Sequence, residues 1–434
     1  MSVIQFLTTT QIQTQLTTTT FAALSSTDIP MFYATQVAAF LPTQVAQLNT
    51  TQLSEFSTTQ LKGLTSTNLG GLDSVTQLPG LSSTDLLALT TAQLSGLTST
   101  EVGALDPNTQ LTGLTSTDIG SLSNAQIGGL VSTEVGALSA TQLKGLTSTQ
   151  LGVLDAATQI DGLTSTQVSS LTVTQLKGLT STQLGALDAA TQLNGFSSTD
   201  IGALTVTQLT GLVSTEVGAL TTTQIGGLTS SQLGSLAAAT QIDGLTSTEI
   251  GALTTAQVKG LTSSQIAVLD PATQLNGFSS ADIGVLTVTQ LTGLVSTEVG
   301  ALTTTQIGGL TSTQLGSLAT ATQINGLTST EVGALTTVQI KGLTSTQLGS
   351  LDAATQVDGL TSTDIGALTT AQLKGLTSTQ IAALDPTTQL SGFSSTDIGA
   401  LSNAQIGGLV STEVGALSAT QLKGLTSTQL GVLD

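Results

Sequence analysis

The sequence predicts an all-α solenoid built from short two-turn helices, with two words of eight or nine residues (16–17 residues) to a coil and about 26 coils. Three observations predict it. An eight-residue word repeats with little change from Leu7 to Leu433, each word carries helix-capping chemistry at fixed positions, and the words alternate between two classes. Repetition at a fixed short period is the signature of a quasi-one-dimensional architecture, in which each unit buries its apolar face only against its neighbours.

The word at residues 146–153 reads LTSTQLGV. Counting Leu146 as position 1, the apolar residues fall at 1, 6 and the next 1, so their spacing is five and three. A period of two cannot place these on one face, which argues against a strand. A helix start accounts for them. Thr at position 2 is an N-cap, Gln, Glu or Asp at position 5 completes a capping box, and the residues at 1 and 6 form the hydrophobic staple across it. The nine-residue words, which begin LDPNTQ at Leu105, LDPATQ at Leu269 and LDPTTQ at Leu384, fit the same scheme with Asp as N-cap and Pro at the first helical position. Heavy Thr usage, which favours strands, and frequent Gly, which disfavours helices, keep a β-solenoid as the alternative.

The nine-residue words at Leu72, Leu105, Leu154, Leu187, Leu236, Leu269, Leu318, Leu351 and Leu384 are separated by even numbers of words, so all fall in one class. All seven Lys share that class, at position 7. The position-5 acids, among them Glu101, Glu134, Glu216, Asp282 and Glu298, belong to the other. Gly alternates as well, between position 7 and position 8, where it allows close helix contact and a sharp exit from the helix. The alternation predicts that two adjacent words make one coil. Residues 123–155 recur identically at 402–434, a sign of segmental duplication.

Composition narrows the functional classes. There are 26 acidic residues against seven Lys, no His and no Cys, for a net charge of −19. Such a chain has no basic stripe for phosphates, and nucleic acid is not an expected partner. It has no thiolate metal site and no disulfide. No apolar run approaches a membrane span, and the first residues lack the basic and apolar regions of an ordinary signal peptide, so membrane insertion is not expected. The Ser and Thr residues recur at cap positions with no base beside them. Neither enzymatic activity nor a cofactor is expected, although the acids at position 5 could hold Ca²⁺ between molecules.

Residues 1–56 differ from the rest and carry Phe6, Phe21, Phe32, Tyr33, Phe40 and Phe56. They are expected to form an aromatic cap or docking coils, followed at 57–434 by a regular solenoid ending mid-repeat at Leu433-Asp434. Phe6, Phe21, Phe32, Tyr33, Phe40 and Leu433 are the candidate assembly interface, since an open coil end can stack head to tail on another copy. Five acid–lysine pairs ten residues apart are candidate charge pairs: Glu134/Lys144, Glu249/Lys259, Glu331/Lys341, Asp364/Lys374 and Glu413/Lys423.

The LTxxQ[LIV]xxL words resemble those of very large Thr-rich repeat proteins of Gram-negative bacteria, often labelled adhesins or haem-utilisation and adhesion proteins. That resemblance spans residues 7–434. It implies an extracellular or cell-surface structural role, as a filament subunit, sheath or adhesin stalk that associates with itself, exported without an ordinary signal peptide. The alternative is a binding module whose Thr-rich face engages a glycan, ice or mineral surface.

Overall fold

The structure, a computed structural model, describes residues 3–433. It is an all-α solenoid, with no strand among the described residues. The chain divides into two compact units, Met1–Gly227 and Leu228–Asp434, and both are built from the same words.

Local structure follows from the capping box. In the word at 146–153, the Gln150 N–H donates to Thr147 Oγ1 at 3.1 Å and the Thr147 N–H donates back to Gln150 Oε1 at 2.7 Å. Thr147 is extended (φ −73°, ψ 160°) and Ser148–Gly152 is helical. Leu146 and Leu151, the two staple residues, are buried. The helices run from four residues, as in Thr91–Leu94, to six, as in Ser83–Ala88, and seven in Thr9–Gln15. No such helix is stable in isolation, so each depends on its caps and on the stack.

The nine-residue words from Leu72 onward depart from the expected Asp-capped α-helix. At Leu105 the Asp106 carboxylate does accept backbone N–H groups, from Asn108 at 3.0 Å and Thr109 at 2.7 Å. Its carbonyl, however, receives both Gln110 N and Leu111 N at 3.0 Å, and the chain leaves this turn as a three-residue 3₁₀ helix, Leu111–Gly113. The inserted residue moves Gln110 to four places from the cap, out of helical register. Length rather than Asp sets the turn: Ala237 and Ala319 stand at the cap position of two such words, yet Gln241 and Gln323 accept their N–H groups at 2.8 and 2.7 Å, and the 3₁₀ segments form unchanged.

The coil also differs from the two-word hairpin that the alternation predicts. Each helix packs against the helices three words away. Ser66–Leu69 contacts Thr91–Leu94, and Ser116–Ser121 contacts Ala140–Leu143. A turn of the solenoid therefore takes about three words, and the number of coils falls in proportion. Because three is odd, every stacking contact joins a word of one class to a word of the other. Glycine shows why the classes must differ. A methyl group on Gly96 would lie 2.1 Å from the Ser66 carbonyl oxygen, and one on Gly70 would lie 2.1 Å from the Gly96 carbonyl oxygen. Gly at position 8 of one class and at position 7 of the other opens the same seam from both sides. No described residue has a positive φ, so glycine serves this close approach and not a left-handed exit.

The first unit has an aromatic centre. Phe40 packs edge-on against Phe21 (ring centroids 4.9 Å apart), Phe32 (5.0 Å) and Phe56 (6.4 Å). Edge-to-face pairs of this kind add to simple burial.

Candidate functional site

The chemistry of this chain is concentrated at position 5. Where Gln stands there, its amide does two jobs. Oε1 accepts the N–H of its own N-cap, and Nε2 reaches back to two carbonyls of the preceding coil. Gln93 Nε2 donates to Leu61 O at 2.8 Å and Leu64 O at 2.7 Å, and Gln126 Nε2 donates to Leu94 O at 2.8 Å and Leu97 O at 2.7 Å. The acceptors lie 32 and 29 residues back, at the C-terminal end of an earlier word, where helix carbonyls have no partner of their own. Both glutamines are buried. Their amides form a ladder that ties coil to coil.

One class of word carries Gln at position 5 throughout, whereas the other often carries Glu or Asp. The acids keep the first job and lose the second. Asp118 Oδ2 accepts the Thr115 N–H at 2.8 Å and its hydroxyl at 2.6 Å. Glu134 Oε2 accepts the Val131 N–H at 2.9 Å. A carboxylate has no hydrogen to give to the earlier coil. The solenoid thus has rungs where acid replaces amide.

The Asp residues of the nine-residue turns form a second acidic series. Asp106 Oδ1 receives the Thr109 hydroxyl at 2.7 Å as well as the two N–H groups. That hydroxyl first, and the backbone donors after it, hold the carboxyl below its ordinary range. The same cause acts at Asp73, Asp155, Asp188, Asp270 and Asp352. At Asp385 the Thr387 and Thr388 hydroxyls together lower the pKa to about 2. Two cavities bring the two acidic series together. One of about 420 Å³ is lined by Asp73 and Glu101, and one of about 730 Å³ by Asp106 and Glu134. No group of three or more His, Cys, Asp or Glu side chains suited to a metal occurs among the described residues.

The candidate assembly residues separate into core and surface. Phe21, Phe32 and Phe40 lie in the aromatic centre, while Phe6 and Tyr33 are exposed and Leu433 is partly so. The structure does not close the candidate charge pairs. Glu134, Glu249, Glu331, Asp364 and Glu413 each turn back to accept the N–H at their own N-cap. Lys144, Lys259, Lys341, Lys374 and Lys423 point into solvent from position 7. The coil-to-coil role of the Gln amide is what sequence reasoning missed. Its signal was there, since a cap alone accepts Glu or Asp, yet one class admits only Gln.

A family model described as the ALTTAQ repeat matches residues 357–387, and the six letters themselves stand at Ala367–Gln372. Over that stretch the helical repeat architecture matches an ALTTAQ-like repeat. No curated protein matches the chain.

Proposed function

We propose that the chain is an extracellular structural repeat protein, a subunit of a surface filament, sheath or adhesin stalk that extends by stacking coil on coil, head to tail. The observation that carries this reading is the polarity of the amide ladder. Every coil offers donors to the coil before it and carbonyls to the coil after it, so the stack has two unlike, mutually complementary faces. A contact between unlike faces does not close on itself, and so it elongates.

The two copies of the 33-residue segment add support. Leu143 and Leu151 in 123–155 are 0% exposed, whereas their counterparts in 402–434, Leu422 and Leu430, are 40% and 55% exposed. The sequence is identical and only the covering coil differs. At the other face Gln11 accepts the Thr8 N–H, while no described residue accepts from its Nε2. A mechanical role rather than a catalytic one fits the way Ser and Thr are used as caps. The surplus of acid, with every Lys solvent-exposed, fits a partner other than nucleic acid. Among the described residues no helix is long and apolar enough to cross a membrane.

Electron microscopy of the purified chain at rising concentration tests this. End-to-end fibres are the expected result, and deletion of residues 1–56 should leave folded particles that no longer elongate. Monodisperse monomers at all concentrations would rule out assembly, and recovery of the native protein from the cytosol alone would rule out the surface role.

A further inference from the structure

Glu101 is 3% exposed. Its Oε2 accepts the Thr98 N–H at 2.5 Å, but its Oε1 is buried with no hydrogen-bond partner. In Gln words the second atom of this group lies on carbonyls 32 and 29 residues back; for residue 101 those positions are Leu69 and Leu72. A carboxylate oxygen placed there meets lone pairs instead of donors, and a buried charge without a partner is costly.

Leu72 and Asp73 line the same cavity as Glu101, together with Ser74, Thr98 and Thr100. Asp73 Oδ1 is occupied by Val75 N at 3.0 Å, Thr76 N at 2.7 Å and the Thr76 hydroxyl at 2.7 Å. Its Oδ2 takes no hydrogen bond among the described residues. The Thr76 hydroxyl and the backbone donors also hold the Asp73 carboxyl below its ordinary range, which keeps it anionic. The cavity therefore collects two carboxylates, hydroxyls and backbone oxygen, and no Lys lines it.

We propose that this cavity binds a hard divalent cation of the Ca²⁺ type, with Glu101 Oε1 as the buried ligand, Asp73 as the second carboxylate and backbone or water oxygens completing the shell. Ca²⁺ takes about six to eight oxygens in flexible geometry, which suits a roomy site fed from two coils; Mg²⁺ demands tighter octahedral placement and gives up its water reluctantly. The ion would supply the partner that Oε1 lacks and would replace the missing amide rung by an ionic one.

The arrangement recurs. Glu134 lies 28 residues after Asp106 and lines a cavity with it, and the same offset relates Glu216 to Asp188, Glu298 to Asp270 and Glu413 to Asp385. Where Gln follows at that offset the amide makes its ordinary clamp instead. Gln183, 28 residues after Asp155, donates to Leu151 O at 2.8 Å and Leu154 O at 2.6 Å. The Asp turn alone is thus not the site. Glu134 Oε1 already accepts the Thr133 hydroxyl at 3.1 Å, which makes Glu101 the position to test.

Calorimetric titration of the full 434-residue chain with CaCl₂, in about 0.15 M KCl to screen diffuse attraction over about 8 Å, reads the proposal. Saturable binding is expected. Glu101→Gln should remove one bound ion, and Asp73→Asn should weaken the same ion by about tenfold or more. Glu101→Gln installs the amide that neighbouring words use, so the far-ultraviolet helical signal should be retained, and its retention is checked alongside. A wild-type titration that does not saturate, or binding that either variant leaves unchanged, overturns the proposal.

Discussion

At position 5 a single atom decides whether two coils are tied. Gln and Glu cap the same N–H, yet only the amide donates onward to buried carbonyls. Gln93→Glu is therefore expected to cost about 1–3 kcal/mol, the penalty for leaving buried acceptors unpaired. Hydrogen exchange at Leu61–Leu64 should report it, and unchanged protection there would remove the ladder from the account. Elsewhere in the word, Leu146→Ala should cost about 2–5 kcal/mol, because the residue is 3% exposed. Thr147→Ala should cost about 0.5–2 kcal/mol through its cap. Chemical denaturation with a probe near residue 146 separates the two, and a larger effect at Thr147 would contradict the assignment of Leu146 to the core. Titration belongs to this scale too. The folded-state value of Asp385 lies below the ordinary 3.8, at about 2. The stabilisation of its turn is complete above the ordinary value and is lost as pH falls through about 2. Replacing Thr387 and Thr388 with Val should return the carboxyl toward 3.8 in a nuclear magnetic resonance titration, whereas an unmoved midpoint would mean that the hydroxyls are not its cause.

At the scale of the element, the short helix was legible because its signals are local. Thr147, Gln150, Leu146 and Leu151 lie within six residues of one another, and capping needs nothing further. The 3₁₀ turn was not legible, because Asp and Pro at the start of a nine-residue word are equally good openings for an α-helix; the deciding fact is one added residue. Length as the cause can be tested directly. Asp188→Ala should leave the 3₁₀ segment Leu193–Gly195 in place, as Ala237 and Ala319 do in their own words. Deleting Ala189 restores the eight-residue spacing between cap and Gln192, and the segment should become a short α-helix in backbone chemical shifts. A 3₁₀ turn that survives the deletion would show that the neighbouring coils impose it. The coil size was hidden for a different reason. Its determinants, such as Gly96 against the Ser66 carbonyl, lie about 30 residues apart, and no local period reveals them. Two alternating classes suggest pairs of neighbours, although an odd number of words per turn also brings unlike classes face to face. The acidic site was half legible: the acids at position 5 stood out, but their approach to the Asp turns depends on that same three-word stacking.

At the scale of the whole molecule, the words form an array whose stability is a sum over neighbours, so a coil is as stable as the coils beside it allow. The identical segments 123–155 and 402–434 make this measurable within one chain. Leu143 is fully buried and Leu422 is 40% exposed, although their local sequence, cap and staple are the same. Any difference in their opening free energy must come from the covering coil. In dilute solution the amides of 402–434 are expected to exchange much faster than those of 123–155, by about tenfold for each 1.4 kcal/mol of covering interaction that is missing. If further coils arrive by head-to-tail stacking, fibres should bring the two segments to equal protection, because Leu422 and Leu430 would then lie under a neighbour as Leu143 and Leu151 do. Equal exchange in the dilute chain would mean that each word is stable without its cover, against the nearest-neighbour account. Fast exchange at 402–434 that persists in fibres would mean that the chains associate through their sides, and that the two complementary faces of the stack are not what joins them.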